Sequence, residues 1–246
     1  MRTIGRAGAI LGALLLLGAC AISYSAIGLG RLGGRVVAMW VGEDKFIYVP
    51  APKAGSFYFE TAKSGKRIEP GLMYTDGGSI PRFAQSLKGF SPWGFGPAYV
   101  IHDWIFYGHH CIVDGLNDGR FNDVKDVTFD ESALILAEVI KTLVDYGQVS
   151  ENVFAADVIS NAVDSSVARA LWDAPGICER GRVSPWHIAV AWKSLLGPLE
   201  PNPPTSWKLA RWEIERARKL LHKVPKVISP ETPVPIVAPV AQLGKR

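Results

Sequence analysis

Cysteine is scarce in this chain, whose 246 residues contain only three: Cys20, Cys111 and Cys178. So few thiols exclude a small disulfide-rich scaffold, and the lack of a Cys-x-x-Cys pair removes the usual zinc-ribbon spacing. The chain also has little excess of either charge, because 27 Lys and Arg are nearly balanced by 23 Asp and Glu, which leaves a net charge of +4. That balance is too weak to indicate a nucleic-acid partner, and we expect none. The chain has no internal repeat, which excludes a solenoid.

The N-terminus carries the pattern of a secreted protein. Arg2 and Arg6 precede a short apolar run, which ends in the small residues before Cys20. This order predicts a signal peptide over residues 1–19. The sequence Leu-Gly-Ala-Cys resembles the bacterial lipoprotein cleavage box, and this resemblance implies that Cys20 becomes the lipidated first residue of the mature protein.

An uncleaved anchor helix is the alternative, because apolar residues continue to Leu29 and approach the roughly 20 residues that a bilayer span needs. Both interpretations predict a protein of the bacterial cell envelope, anchored in a membrane and facing the periplasm. Ala21 stands where inner-membrane lipoproteins usually have Asp, which favours the outer membrane.

The two remaining cysteines are candidates for a disulfide. In an oxidising compartment Cys111 and Cys178 can pair. The alternative is two separate buried thiols, which are common as small apolar fillers.

Apolar periodicity predicts an α+β fold, with a small antiparallel sheet followed by a helical core of about four helices. The predicted strands are residues 35–41, 45–49 and 56–61. The predicted helices are residues 97–107, 130–144, 152–172, 184–196 and 206–223.

Composition divides the chain further. Residues 20–34 are Gly-rich and predict a linker, and residues 35–197 form the main globular domain. Residues 198–224 are a linker and an amphipathic helix, and residues 225–246 are a Pro-rich tail expected to be disordered. A basic helix with tryptophan can lie on an anionic membrane. Because Glu213 and Glu215 dilute the charge of this one, we expect a docked helix with a solvated charged face.

The chemistry is concentrated between Tyr74 and Tyr107. His102 and Asp103 are neighbours there, and they offer a general base and an anionic metal ligand at one place. A third acid is needed to orient the imidazole, and Asp130 at the start of a predicted helix is the candidate. Alternatively, Asp130 only charges that helix N-terminus, and the His-Asp pair belongs to a structural polar core.

A glycine-bearing turn precedes the His-Asp pair. Asp76, Gly77 and Ser79, together with Asp103, are candidate calcium ligands, because such loops bind calcium through backbone oxygens and an acid. The plain alternative is a tight turn in which Ser79 caps the next segment. His109 and His110 lack zinc spacing, so we expect surface or loop histidines.

Together these motifs resemble the domain of unknown function 1353 family of bacterial and phage proteins. The family pattern T-D-x-x-S-x-P-R, then H-D-x-x-Y, then A-D corresponds here to residues 75–82, 102–106 and 129–130, within a match over about residues 36–196. Phe106 replaces the family tyrosine, and Phe129 replaces the small residue before Asp130.

The resemblance implies no established activity. Its motif order is similar to that of calcium-dependent secreted phospholipases, whose cysteine framework this chain lacks. That analogy implies a membrane-tethered hydrolase in which His102 activates water, Asp103 and the preceding turn hold calcium, and Asp130 orients His102. The alternative is a noncatalytic envelope or phage-derived lipoprotein that binds a partner and uses the same residues as a structural polar core.

Overall fold

The protein, seen in a computed structural model, is described over residues 24–42, 45–52, 55–77, 95–149, 166–197, 199–225 and 235–238. These residues form an α+β fold in which two small antiparallel sheets are followed by helices. The predicted fold class is confirmed. Among these residues no helix combines the length and the apolar character that crossing a bilayer requires. Residues 1–19 and Cys20 lie outside the described part, and so does the lipidation prediction.

The strands are short. They are β1 (Arg31–Gly33), β2 (Val36–Gly42), β3 (Lys45–Pro50), β4 (Tyr58–Glu60), β5 (Arg67–Ile68), β6 (Met73–Thr75) and β7 (Pro235–Ala238). One sheet has the order β1-β4-β5 and the other has the order β6-β3-β2-β7, with every neighbouring pair antiparallel.

Two strands correct the predicted domain boundaries. β1 lies within residues 20–34, which the sequence assigns to a linker, and it pairs with β4. β7 lies within the tail that is predicted to be disordered, and it pairs with Val36–Met39 of β2. Both corrections have one physical cause: an edge strand leaves backbone groups unpaired, and a short extended segment can satisfy them through its own backbone, whatever its side-chain pattern.

The helices are α1 (Gly96–Val113), α2 (Phe129–Asp145), α3 (Ser166–Trp172), α4 (Cys178–Gly181), α5 (Pro185–Leu195) and α6 (Arg211–Arg218). The Ser184 side chain accepts a hydrogen bond from the His187 N–H at the start of α5, as the sequence predicts. The predicted helix 206–223 is interrupted, because Lys208 adopts the left-handed conformation (φ 51°, ψ 40°) after the 3-10 turn Thr205–Trp207.

The β2–β3 pair lies between two apolar clusters. Tyr48 belongs to the cluster built around α1 and α2, whereas Ile47 and Val49 belong to the cluster built around α5 and Trp207. Alternate residues of a strand point to opposite faces, so one strand serves both clusters. This layering holds α1, which carries the His-Asp pair, against the sheet that ends in β6.

Candidate functional site

Helix α1 directs His102 and Asp103 to different surroundings. Adjacent residues of a helix point about 100° apart. Asp103 reaches Thr75 of β6, whereas the His102 ring lies against Phe106, with 4.6 Å between ring centroids. The pair therefore joins two environments and does not converge on one point.

Asp103 is joined to the glycine turn by a chain of hydrogen bonds. The Thr75 hydroxyl donates to Asp103 Oδ2 at 2.6 Å, and the Gly77 N–H donates to the Thr75 hydroxyl oxygen at 3.2 Å. The first and second sequence motifs thus meet through Thr75. Sequence reasoning gives Thr75 no role, although its place at the head of the T-D-x-x-S motif is a signal that could have identified it.

The environment favours the neutral form of both side chains. Burial raises the pKa of the Asp103 carboxyl well above its ordinary value, and the negative charge of Asp76 adds to this, while the hydrogen bond from Thr75 opposes it. Burial lowers the pKa of His102 to about 4. His102 Nε2 is buried and has no hydrogen-bond partner in the described part of the chain. A neutral imidazole therefore adjoins a carboxyl that resists ionisation.

The structure corrects the orienting role predicted for Asp130. Its side chain is 79% exposed and its carboxylate accepts a hydrogen bond from Arg169 at 2.5 Å. No hydrogen bond joins it to His102 among the described atoms. Phe129 explains this placement, because its buried ring packs against the Trp172 ring and turns the next residue of α2 into solvent. Asp130 adds negative charge to the first turn of α2, the alternative that the sequence left open.

The structure describes three of the four predicted calcium ligands. Asp76, Gly77 and Asp103 are described, whereas Ser79 lies outside the described residues. No group of three or more His, Cys, Asp or Glu side chains in the described ranges is arranged to hold a metal ion. Calcium takes six to eight oxygen ligands. The described part of the predicted set contributes the carboxyl groups of Asp76 and Asp103 and the backbone of Gly77, and the calcium site stays a prediction.

The far end of α1 is a structural junction. His109 and His110 lie within this helix, which corrects the expectation of surface or loop histidines. The His109 ring stacks on Trp172 at 3.7 Å, and His110 is buried. The predicted disulfide between Cys111 and Cys178 is present and ties α1 to α4.

A carboxylate at the end of α1 reinforces this junction. Asp114 accepts hydrogen bonds from the Gly176 N–H at 2.8 Å and from the Cys178 N–H at 2.9 Å. These two backbone bonds lower the pKa of Asp114. The same two segments are therefore joined covalently and by hydrogen bonds.

Comparison with known proteins adds no relative to this picture. No family model matches the chain, no curated protein matches it and no solved structure matches it. The resemblance to the domain of unknown function 1353 family therefore rests on the motifs alone.

The shifted pKa values of His102 and Asp103 predict opposing dependences of the unfolding free energy on pH. His102 is unprotonated in the folded state down to pH about 4 but protonates near 6.5 when unfolded, so its contribution rises with pH across that window by about 3 kcal/mol. Asp103 has a raised pKa, so its contribution falls as pH rises above 3.8. In Asp103→Asn, we expect the free energy of unfolding to rise more steeply with pH above 3.8 than in the wild type, because the opposing contribution of the Asp103 carboxyl is removed.

The measurement is urea denaturation at closely spaced pH values. In His102→Gln the rising contribution of the imidazole is removed, so the free energy of unfolding should decrease with pH relative to that of the wild type. Asp130→Asn is the matched control, since it removes an exposed carboxylate one helix away. Parallel pH profiles for Asp103→Asn and the wild type would show that these groups are not buried as described.

Proposed function

We propose that this chain is a bacterial envelope lipoprotein, tethered through Cys20 and facing the periplasm, that acts by binding and not by hydrolysis. The Leu-Gly-Ala-Cys sequence supports the tether. The Cys111–Cys178 disulfide supports an oxidising compartment outside the cytoplasm.

The noncatalytic part of this proposal rests on one observation, the chain of hydrogen bonds that joins Asp103 to Thr75 and Thr75 to Gly77. These bonds give the Asp103 carboxyl a structural role. A partly buried carboxyl that receives a short hydrogen bond from a hydroxyl fixes the segment after β6 against α1. Removing one partner of such a bond leaves a buried polar group unsatisfied, at a cost of about 1–3 kcal/mol. In this proposal the His-Asp motif stabilises the polar boundary between sheet and helix.

A His-Asp hydrolase is the second candidate, and one observation favours it. His102 is a neutral imidazole whose buried Nε2 has no partner among the described residues, and an imidazole in that state can accept a proton from water. Its weakness is orientation, because the carboxylate proposed for that role, Asp130, is paired with Arg169 in solvent.

Hydrolysis of lipid esters distinguishes the two candidates. The full chain is assayed with phospholipid substrates, with and without calcium, as wild type, His102→Ala and Asp130→Asn. We expect no turnover above the protein-free rate in any sample, together with a loss of about 1–3 kcal/mol in unfolding free energy for Thr75→Val. Turnover that His102→Ala abolishes and Asp130→Asn retains would establish the hydrolase instead.

The tether is measured separately in the same expressed protein. The mass of the N-terminal peptide should include a diacylglycerol and a fatty acid on Cys20, and Cys20→Ser should remain unprocessed. A mature chain that retains residues 1–19 would support the uncleaved anchor helix.

A further inference from the structure

A line of basic and aromatic side chains runs along the outer face of α6 and the helical turns that follow it. Trp212, Arg216, Lys219 and Lys223, here called the basic stripe, are spaced four, three and four residues apart. This spacing places side chains on one side of a helix. Backbone hydrogen bonds continue the turns beyond α6, from the Lys219 N–H to the Glu215 carbonyl and from the Lys223 N–H to the Leu220 carbonyl.

The opposite side of this segment is fixed to the protein. Glu213 and Ala217 are buried, and Ile214, Leu220 and Leu221 pack against the apolar cluster of α5. The helix therefore cannot rotate to hide its charges. All four side chains of the basic stripe are exposed.

The cations of the basic stripe have no acidic partner among the residues that the structure describes. Arg216, Lys219 and Lys223 form no ion pair within the described part of the chain. The neighbouring acid Glu215 is already occupied, because its carboxylate pairs with Arg211 at 3.1 Å. Positive charge is therefore concentrated on this face although the whole chain carries only +4.

The adjacent Arg218 adds to this excess. Its guanidinium donates to the Pro201 carbonyl and to Asn202 Oδ1, which are both neutral, so its positive charge is not cancelled.

Trp212 gives this face an aromatic component. The residue is 36% exposed, and its ring is flanked by two guanidinium groups, that of Arg182 at 4.7 Å and that of Arg216 at 5.0 Å. Cations over the ring face hold the indole at the surface. Tryptophan prefers the headgroup level of a bilayer, and clustered lysine and arginine are attracted to anionic lipid headgroups.

We propose that the basic stripe is a contact surface for a bilayer containing anionic phospholipid. Each lysine or arginine near such a surface strengthens binding about five-fold. A partly exposed indole beside cations that have no acidic partner among the described residues fits contact with the anionic headgroups at a bilayer surface. This contact goes beyond the tether and does not depend on lipidation of Cys20.

Charge reversal tests the proposal. The full chain carrying Lys219→Glu and Lys223→Glu is compared with the full chain carrying Lys63→Glu and Lys125→Glu, two exposed lysines outside the basic stripe. Both variants change the net charge equally and retain the same N-terminal segment. With vesicles containing 30% phosphatidylglycerol, we expect the first variant to bind at least ten-fold more weakly than the second, with the difference vanishing on pure phosphatidylcholine. Equal binding of the two variants to the anionic vesicles would overturn the proposal.

A lysine footprint of the wild-type chain gives an independent readout. An impermeant amine-reactive reagent is applied to the full chain on each kind of vesicle, and modified lysines are quantified by mass spectrometry. Lys219 and Lys223 should be protected several-fold on anionic vesicles and released by high salt, with Lys63 and Lys125 unchanged. Protection without vesicles, or protection by RNA or by a second protein alone, would assign the basic stripe to another partner and overturn the lipid proposal.

Discussion

Loss of the Cys111–Cys178 disulfide is expected to destabilise the protein by ~4 kcal/mol and to lower its melting temperature by roughly 10 °C. The two cysteines are 67 residues apart in sequence. A closed loop of that length removes substantial chain entropy from the unfolded state, which is the main source of the effect. The measurement is thermal and urea unfolding of Cys111→Ala/Cys178→Ala beside the oxidised wild type.

Treatment with reductant distinguishes the effect of losing the disulfide bond from the effect of replacing the two cysteine side chains. Reduced wild type should approach the stability of the double variant, and the variant itself should not respond to reductant. The hydrogen bonds from Gly176 and Cys178 to Asp114 remain in both, so the junction between α1 and α4 should loosen without complete loss of the fold. An oxidised and a reduced protein of equal stability would contradict the prediction.

Truncation of Glu213 is expected to destabilise the protein by about 3–5 kcal/mol, because it removes the buried carboxylate that pairs with two arginines. These arginines then retain only the more exposed acids Asp118 and Glu179 as partners. The Glu213 side chain is only 3% exposed and pairs with Arg120 at 3.0 Å, with Arg182 at 3.7 Å. Its carboxylate also accepts a hydrogen bond from the Ala210 N–H at the start of α6. Glu213→Ala removes all of these contacts, and the free energy of unfolding in urea reports the loss.

Glu215→Ala provides a matched control on the same helix. Glu215 is 51% exposed and pairs with Arg211, which is 94% exposed. Exposed pairs of this spacing contribute about 0.3–0.5 kcal/mol. Glu213→Gln should fall between the two alanine variants, since it can still accept the helix-start hydrogen bond but loses the charge. Similar losses for both alanine variants would show that burial does not set the value of the Glu213 contacts.

Glu213 and Glu215 are indistinguishable in the sequence, although the structure buries only one of them. Both follow Trp212 closely, and both dilute the positive charge of the helix in the sequence. Which one is buried depends on the face that α6 turns toward α5, and that choice is made by residues distant in the sequence. The sequence predicts the docked helix, which the structure confirms, but the buried ion pairs of Glu213 depend on the tertiary structure.

The candidate site shows the same limit. The sequence identified His102, Asp103 and the glycine turn as neighbours in function, and the structure joins Asp103 to that turn through Thr75. It also proposed Asp130, which lies in solvent beside Arg169. A motif records which residues occur together along the chain, but the direction of a side chain depends on the burial of its neighbours.

The sequence by itself determined the local features: the α+β class, the start of α5 at Ser184 and Pro185, and the pair of cysteines able to bond. These follow from contacts between residues a few positions apart or from simple counting. Tertiary structure alone decided that β1 and β7 are strands, because a strand exists only beside a partner. The partner of β1 begins 27 residues later, at Tyr58, and the partner of β7 begins 199 residues earlier, at Val36. Tertiary structure also turned Asp130 outward, because the burial of Phe129 against Trp172 contributes more free energy than a buried carboxylate could.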